Sequence, residues 1–165
     1  MALSHLKVWS ILAASTVLLA GCGFKPMYGD ASYTAQLQDI RVETGETRVD
    51  YLLQEALQDE LGAQAGEGRY LLETLTDLNT IRLGVGADDV ATRYAVLLLV
   101  DYQLVDTQTG DAVLVGRESV EAAYNDPRQV YGALTAQRSA EAQAARQAAE
   151  RIALDLARAI IDQSE

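Results

Sequence analysis

The chain has little of what most enzyme chemistry needs: among 165 residues there are one Cys, one His, one Trp, one Phe and two Pro. A single Cys and a single His exclude a disulfide framework or a Cys/His zinc site within one chain. Positive charge is also scarce. Thirteen Lys and Arg face 24 Asp and Glu, for a net charge of −11 and a pI near 4.4. That balance excludes a general nucleic-acid binder, which needs a basic footprint to displace counterions. Apolar residues, by contrast, make up 49% of the chain, ample for one packed core in one domain.

Residues 1–21 read as a leader. Lys7, with His5, gives a positive start, a twelve-residue apolar run follows from Val8 to Leu19, and small residues come next. This is the order of a secretory signal peptide, and the run is short of the roughly 20 apolar residues that span a bilayer. A buried N-terminal helix is the alternative reading. The ending Leu19-Ala20-Gly21-Cys22 resembles a bacterial lipobox, in which the Cys thiol receives a diacylglycerol and becomes the new N-terminus. Each buried methylene contributes about 0.8 kcal/mol, so two or three acyl chains anchor a chain where one does not. Gly23 after the Cys, rather than Asp, fits outer-membrane sorting. Removal of residues 1–21, Lys7 and His5 among them, leaves 144 residues with 12 basic against 24 acidic groups, no histidine and no free thiol. Ser–His–Asp and Cys–His arrangements are then unavailable. The chain is expected not to be an enzyme and to use no metal or cofactor.

Residues 22–35, with Pro26 and Gly29, read as a lipidated tether, and residues 36–165 as one domain. Leu37, Ile40 and Val42 sit in a short strand-like segment, with the best alternation from Ile40. Thr47 is a plausible N-cap, with Asp50 three residues on in capping-box fashion. Val49, Leu52, Leu53, Ala56, Leu57 and Leu61 form a helical stripe ended by Gly62. Tyr70 to Leu83 reads as a strand, residues 84–89 as a turn, and Thr92 to Val105 as the strongest strand. Its even residues from Tyr94 to Leu104 share one face; Leu97 and Leu99 suggest that its middle is covered on the other face too. After a hairpin turn, Ala112 to Tyr124 returns as a strand whose alternation changes phase, as a β-bulge near Gly116 would cause. Thr135 to Ile161 is a long Ala-rich helix with a stripe at Ala145, Ala149, Ile152, Leu156 and Ile160. Arg146/Glu150 and Arg151/Asp155 are candidate i,i+4 pairs. The expected fold is α+β: a two-layer sandwich, two helices on one face of a four-stranded, mostly antiparallel sheet, with the other face open.

Cys22-Gly-Phe-Lys-Pro-Met-Tyr-Gly29 resembles the opening of the LptE family of lipopolysaccharide-assembly lipoproteins, in its alphaproteobacterial form. Residues 48–57 (Arg-Val-Asp-Tyr-Leu-Leu-Gln-Glu-Ala-Leu), Thr92-Arg-Tyr, the Tyr-Gln-Leu-Val-Asp stretch at 102–106 with Gly110, and residues 149–160 follow in the family's order. Met27 stands where that branch usually has Leu. The resemblance implies a lipid-anchored protein on the periplasmic side of the outer membrane. It would plug an LptD-type β-barrel, assist its assembly and help deliver lipopolysaccharide, without catalysis. An auxiliary lipoprotein of an ABC-type lipid transporter and a carboxylate-dependent envelope hydrolase are the competing readings.

Lipid A phosphates call for Arg or Lys. Arg82 and Arg93 flank the 84–89 turn, where a tight hairpin would set two cations face to face. Either an anion or the nearby Asp88 and Asp89 would relieve them. Arg117, beside the expected bulge, is a further candidate, and Arg41 is equally well plain surface. Tyr94, Tyr102 and Tyr124 suit either an interface or core packing. The helix carboxylates read as a solvated face. Cys22→Ala is expected to leave an unprocessed or soluble periplasmic form; outer-membrane fractionation unchanged from the parent would remove the anchor.

Overall fold

The computed structural model describes residues 36–63, 68–85, 91–125 and 130–163, all within one compact unit, Ala31–Glu165. The cleavage site, Cys22, the tether and the Asp88–Asp89 pair lie outside the described residues.

Leu37 lies in a helical turn at 36–38 and not in the strand-like segment expected for it; the strand itself, β1, is Ile40–Glu43. There follow α1 (Arg48–Leu61), β2 (Tyr70–Val85), β3 (Ala91–Asp106), β4 (Ala112–Asn125) and α2 (Val130–Gln163). The sheet order is β1-β2-β3-β4. β1 runs parallel to β2, the geometry a helical crossover imposes, and the other pairs are antiparallel. Both helices lie on one face. The fold is the two-layer α+β sandwich expected from the pattern.

α1 starts where its capping residues say it must. Thr47 has extended backbone, its side chain accepts from the Asp50 N–H, and Asp50 Oδ2 accepts from the Thr47 N–H at 2.9 Å and from its hydroxyl at 2.6 Å. Gly62 closes the helix in the left-handed region at φ 61°, a conformation that costs a side-chain-bearing residue. The core forms where the even residues of β3 meet the helix stripes. Val96, Leu98, Val100 and Leu104 have no exposed surface, nor do Leu53 and Leu57 of α1 or Ile152 and Leu156 of α2. α2 approaches α1 and the sheet closely because the residues it buries midway are small: Ala144, Ala145, Ala148 and Ala149.

Several expectations need correction. The sheet irregularity lies between Leu104/Leu114 and Val105/Ala112, so Val113 is the extra residue, not one near Gly116. Val115 is simply an outward-facing residue of an unbroken ladder, 70% exposed. Leu97 and Leu99 are only partly buried, because no second layer covers that face among the described residues. Neither anticipated i,i+4 pair is among the ion pairs of the described residues. Arg151 reaches across to Glu118 and Ser119 of β4, and Asp155 pairs with Arg158 and accepts from the Tyr102 hydroxyl.

Two helix carboxylates are not solvated. Glu141 of α2 takes Arg48 of α1 and Gln137, joining the helices. Asp50 is 3% exposed, and its Oδ1 accepts from the Thr76 hydroxyl at 2.6 Å, fastening α1 to β2. Burial by itself would raise the Asp50 pKa, but hydrogen bonds from Thr47 and Thr76 outweigh it and hold the value below 3.8. A carboxylate depressed in the folded state stabilises above its unfolded pKa, and that contribution fades as pH falls through the folded value. Asp50→Asn is expected to cost about 1–3 kcal/mol near neutral pH. Urea unfolding should show the gap between parent and variant narrowing below about pH 4; a gap independent of pH would contradict the assignment.

Candidate functional site

Alternation along β2, β3 and β4 sends every second side chain away from the helices, and that open face carries the chain's largest exposed apolar groups outside the helices. Leu75 of β2 and Val115 of β4 are 71% and 70% exposed. Between them lies a depression of about 260 Å³ lined by Glu73, Leu75, Asp101, Gln103 and Val115, with Thr74, Tyr102 and Gly116 as its floor. Its polar border is internally paired. Arg117 grips Asp101 with both ends of its guanidinium, Nε to Oδ1 at 2.5 Å and Nη2 to Oδ2 at 3.0 Å, and Gln103 donates to Glu73. Hydrogen bonding within the Arg117–Asp101 pair raises the arginine pKa and lowers that of the carboxyl. Both groups are well exposed, so the pair contributes little to stability.

The floor is made by a close approach on the helix side. A Cβ on Gly116 would stand 2.4 Å from the Tyr102 ring, so only glycine lets that ring lie flat over the strand. The Tyr102 hydroxyl donates to Asp155 Oδ2 at 2.9 Å. Burial first, and the Asp155 carboxylate second, push this phenol well above its ordinary range. Tyr94 and Tyr124 stack on the same helix side, centroids 5.7 Å apart. All three tyrosines belong to the covered side, the core-packing alternative.

The candidate arginines are spread apart. Arg82 pairs in register with Tyr94, and Arg93 with Gly84 and Asn125. Arg93 is the chain neighbour of Tyr94, so it turns to the face opposite Arg82, and the two cations do not confront each other. The register shift at Leu83 causes the stagger. Both remain exposed at the same end of the sheet, and among the described residues neither has an ion-pair partner. Arg117 sits mid-strand in its pair with Asp101, and Arg41 pairs with Glu43 at 2.7 Å. Leu75 and Val115 were missed as surface residues. Alternation carried through β2 and β4 from the Leu98 register was the available signal. Among the described residues no His, Cys, Asp and Glu group has metal-holding geometry, and no helix is long and apolar enough to cross a membrane.

The layered architecture recurs in solved proteins. The first is a candidate lipoprotein of Caulobacter crescentus CB15, 33% identical with a TM-score of 0.70 over 81% of this chain and 98% of that one. The rare lipoprotein B of Shewanella oneidensis aligns at 16% identity and TM-score 0.54, covering 76% and 98%. A minor lipoprotein of Acinetobacter baumannii aligns at 18% and 0.54, covering 72% and 89%. No curated protein matches the chain. The fold is thus one found among small bacterial envelope lipoproteins. Residues 34–164 match the LptE family, described as lipopolysaccharide-assembly, and the chain belongs to that family.

Proposed function

We propose that the mature chain is an outer-membrane lipoprotein, held at the periplasmic face by acylated Cys22. It seats in an LptD-type β-barrel, helps that barrel assemble and assists passage of lipopolysaccharide to the cell surface. The LptE match over residues 34–164 carries this reading. The open face supports it: a flat, internally paired surface with protruding Leu75 and Val115 suits contact with a protein wall better than enclosure of a small substrate. No catalytic step is assigned. Among the candidate contacts to lipid A phosphates, Arg82 and Arg93 are the ones free of an ion-pair partner within the described residues. Arg117 would first have to release Asp101.

Photo-crosslinking from Leu75 and Val115 in intact cells is expected to capture a large outer-membrane β-barrel. Capture of an inner-membrane ABC-type transporter instead would overturn the reading. Arg82→Glu with Arg93→Glu is expected to weaken lipopolysaccharide binding roughly tenfold, or about 1.4 kcal/mol, with thermal melting unchanged. Equal affinity would remove these residues as phosphate contacts.

A further inference from the structure

β4 is an edge strand: among the described residues no strand pairs with its outer side. The direction of its backbone groups follows from the ladder. Tyr70 donates to Asp39 on the β1 side of β2, and Asp106 donates to Asp111 on the β4 side of β3. Even residues of β3 therefore face β4, and the even residues of β4 opposite them face back. The odd residues Val115, Arg117, Ser119, Glu121 and Ala123 aim their N–H and C=O groups outward. The Ser119 carbonyl confirms this, since it accepts Arg151 Nη1 from α2 at 3.0 Å. Nine residues thus present an extended edge with one acceptor occupied, by a side chain rather than a strand.

We propose that this edge pairs antiparallel with the same edge of a second copy, about a two-fold axis through Ser119. Only odd residues can pair through the edge, which leaves a few registers. Centring on Arg117 or on Glu121 sets like charges opposite one another. Intermediate registers set Arg117 against Ser119 or Ala123. Centring on Ser119 alone brings Arg117 opposite Glu121 twice, with Val115 opposite Ala123. Glu121 is exposed and has no ion-pair partner among the described residues, and Arg117, 70% exposed on the same open face, holds Asp101 through Nε and Nη2 and keeps Nη1 for the partner's Glu121. The bulge at Val113 ends the flat edge at one side. Roughly ten main-chain hydrogen bonds would join the copies in an isologous contact. Arg151, held to Glu118 and the Ser119 carbonyl, competes for the central acceptor and keeps the pairing weak.

The test is crosslinking of the overproduced, full-length protein in intact cells with a short bismaleimide, after Ser119→Cys. In the proposed register the two Cα atoms of residue 119 lie about 5.5 Å apart, and those of residue 115 about 27 Å apart, eight residues at 3.4 Å each. A dimer band from Ser119→Cys and none from Val115→Cys is expected. Arg117→Glu or Glu121→Arg alone should reduce the band, and the two together should restore it. Arg151→Ala should raise it about fivefold, the worth of one competing hydrogen bond. These substitutions sit at exposed positions, and unchanged melting curves confirm folding. No band from Ser119→Cys overturns the proposal. So does a band that ignores charge reversal, or one as strong from Val115→Cys; a large heterologous adduct in place of the dimer would assign the edge to another protein.

Discussion

The whole arrangement depends on the two-residue period of β3. Its even side chains, from Val96 to Leu104, are buried under the helical layer, α2 lying on β3 and β4 while α1 packs on β1, β2 and α2. A strand with large apolar groups on one side only would need no further instruction. β3 also carries Leu97 and Leu99 on the reverse side, and polar ties fasten the helical layer to the face it occupies. Asp50 to Thr76, Glu141 to Arg48 and Tyr102 to Asp155 each join one layer or helix to another through a buried or half-buried side chain. Leaving any of these partners buried without its mate costs more than the bond itself contributes, so they select one packing rather than merely adding to its stability.

Much of this was legible in the sequence. Caps and glycine stops act locally, so Thr47, Asp50 and Gly62 fell where expected. Strand and helix order followed from hydrophobic period. What the sequence did not reveal is what depends on register. The change of alternation along β4 points to a bulge near Gly116, but Val115 is a surface residue and the extra residue is Val113. Arg82 and Arg93 looked opposed because the shift at Leu83 leaves no compositional mark. Arg151 and Asp155, expected to pair with each other, meet β4 and Tyr102 instead, since tertiary carboxylate and carbonyl acceptors compete with weak surface pairs.

The candidate site shows the same division. Its basic residues were visible as residue types, while its shape was not. The depression between Leu75 and Val115 exists because strand neighbours around it carry paired polar groups that lie along the face and leave the backbone at Thr74, Tyr102 and Gly116 as its floor. Membership of the LptE family gives that face a context, and the described geometry gives it chemistry: adhesive apolar points in a charge-compensated frame.

α1 has 14 residues and α2 has 34, roughly 21 Å against 51 Å. The short helix is fastened near Thr76 and runs back towards Tyr70, so it does not extend over the strand segments beyond Leu78 and Leu98. At its start, residues 131–139 of α2 include no fully buried side chain. Among the described residues cohesion therefore declines towards the start of α2. Amide protons of β3 should exchange in a gradient, slowest near Leu104 and fastest near Tyr94, and the loosely held end can open without melting the rest.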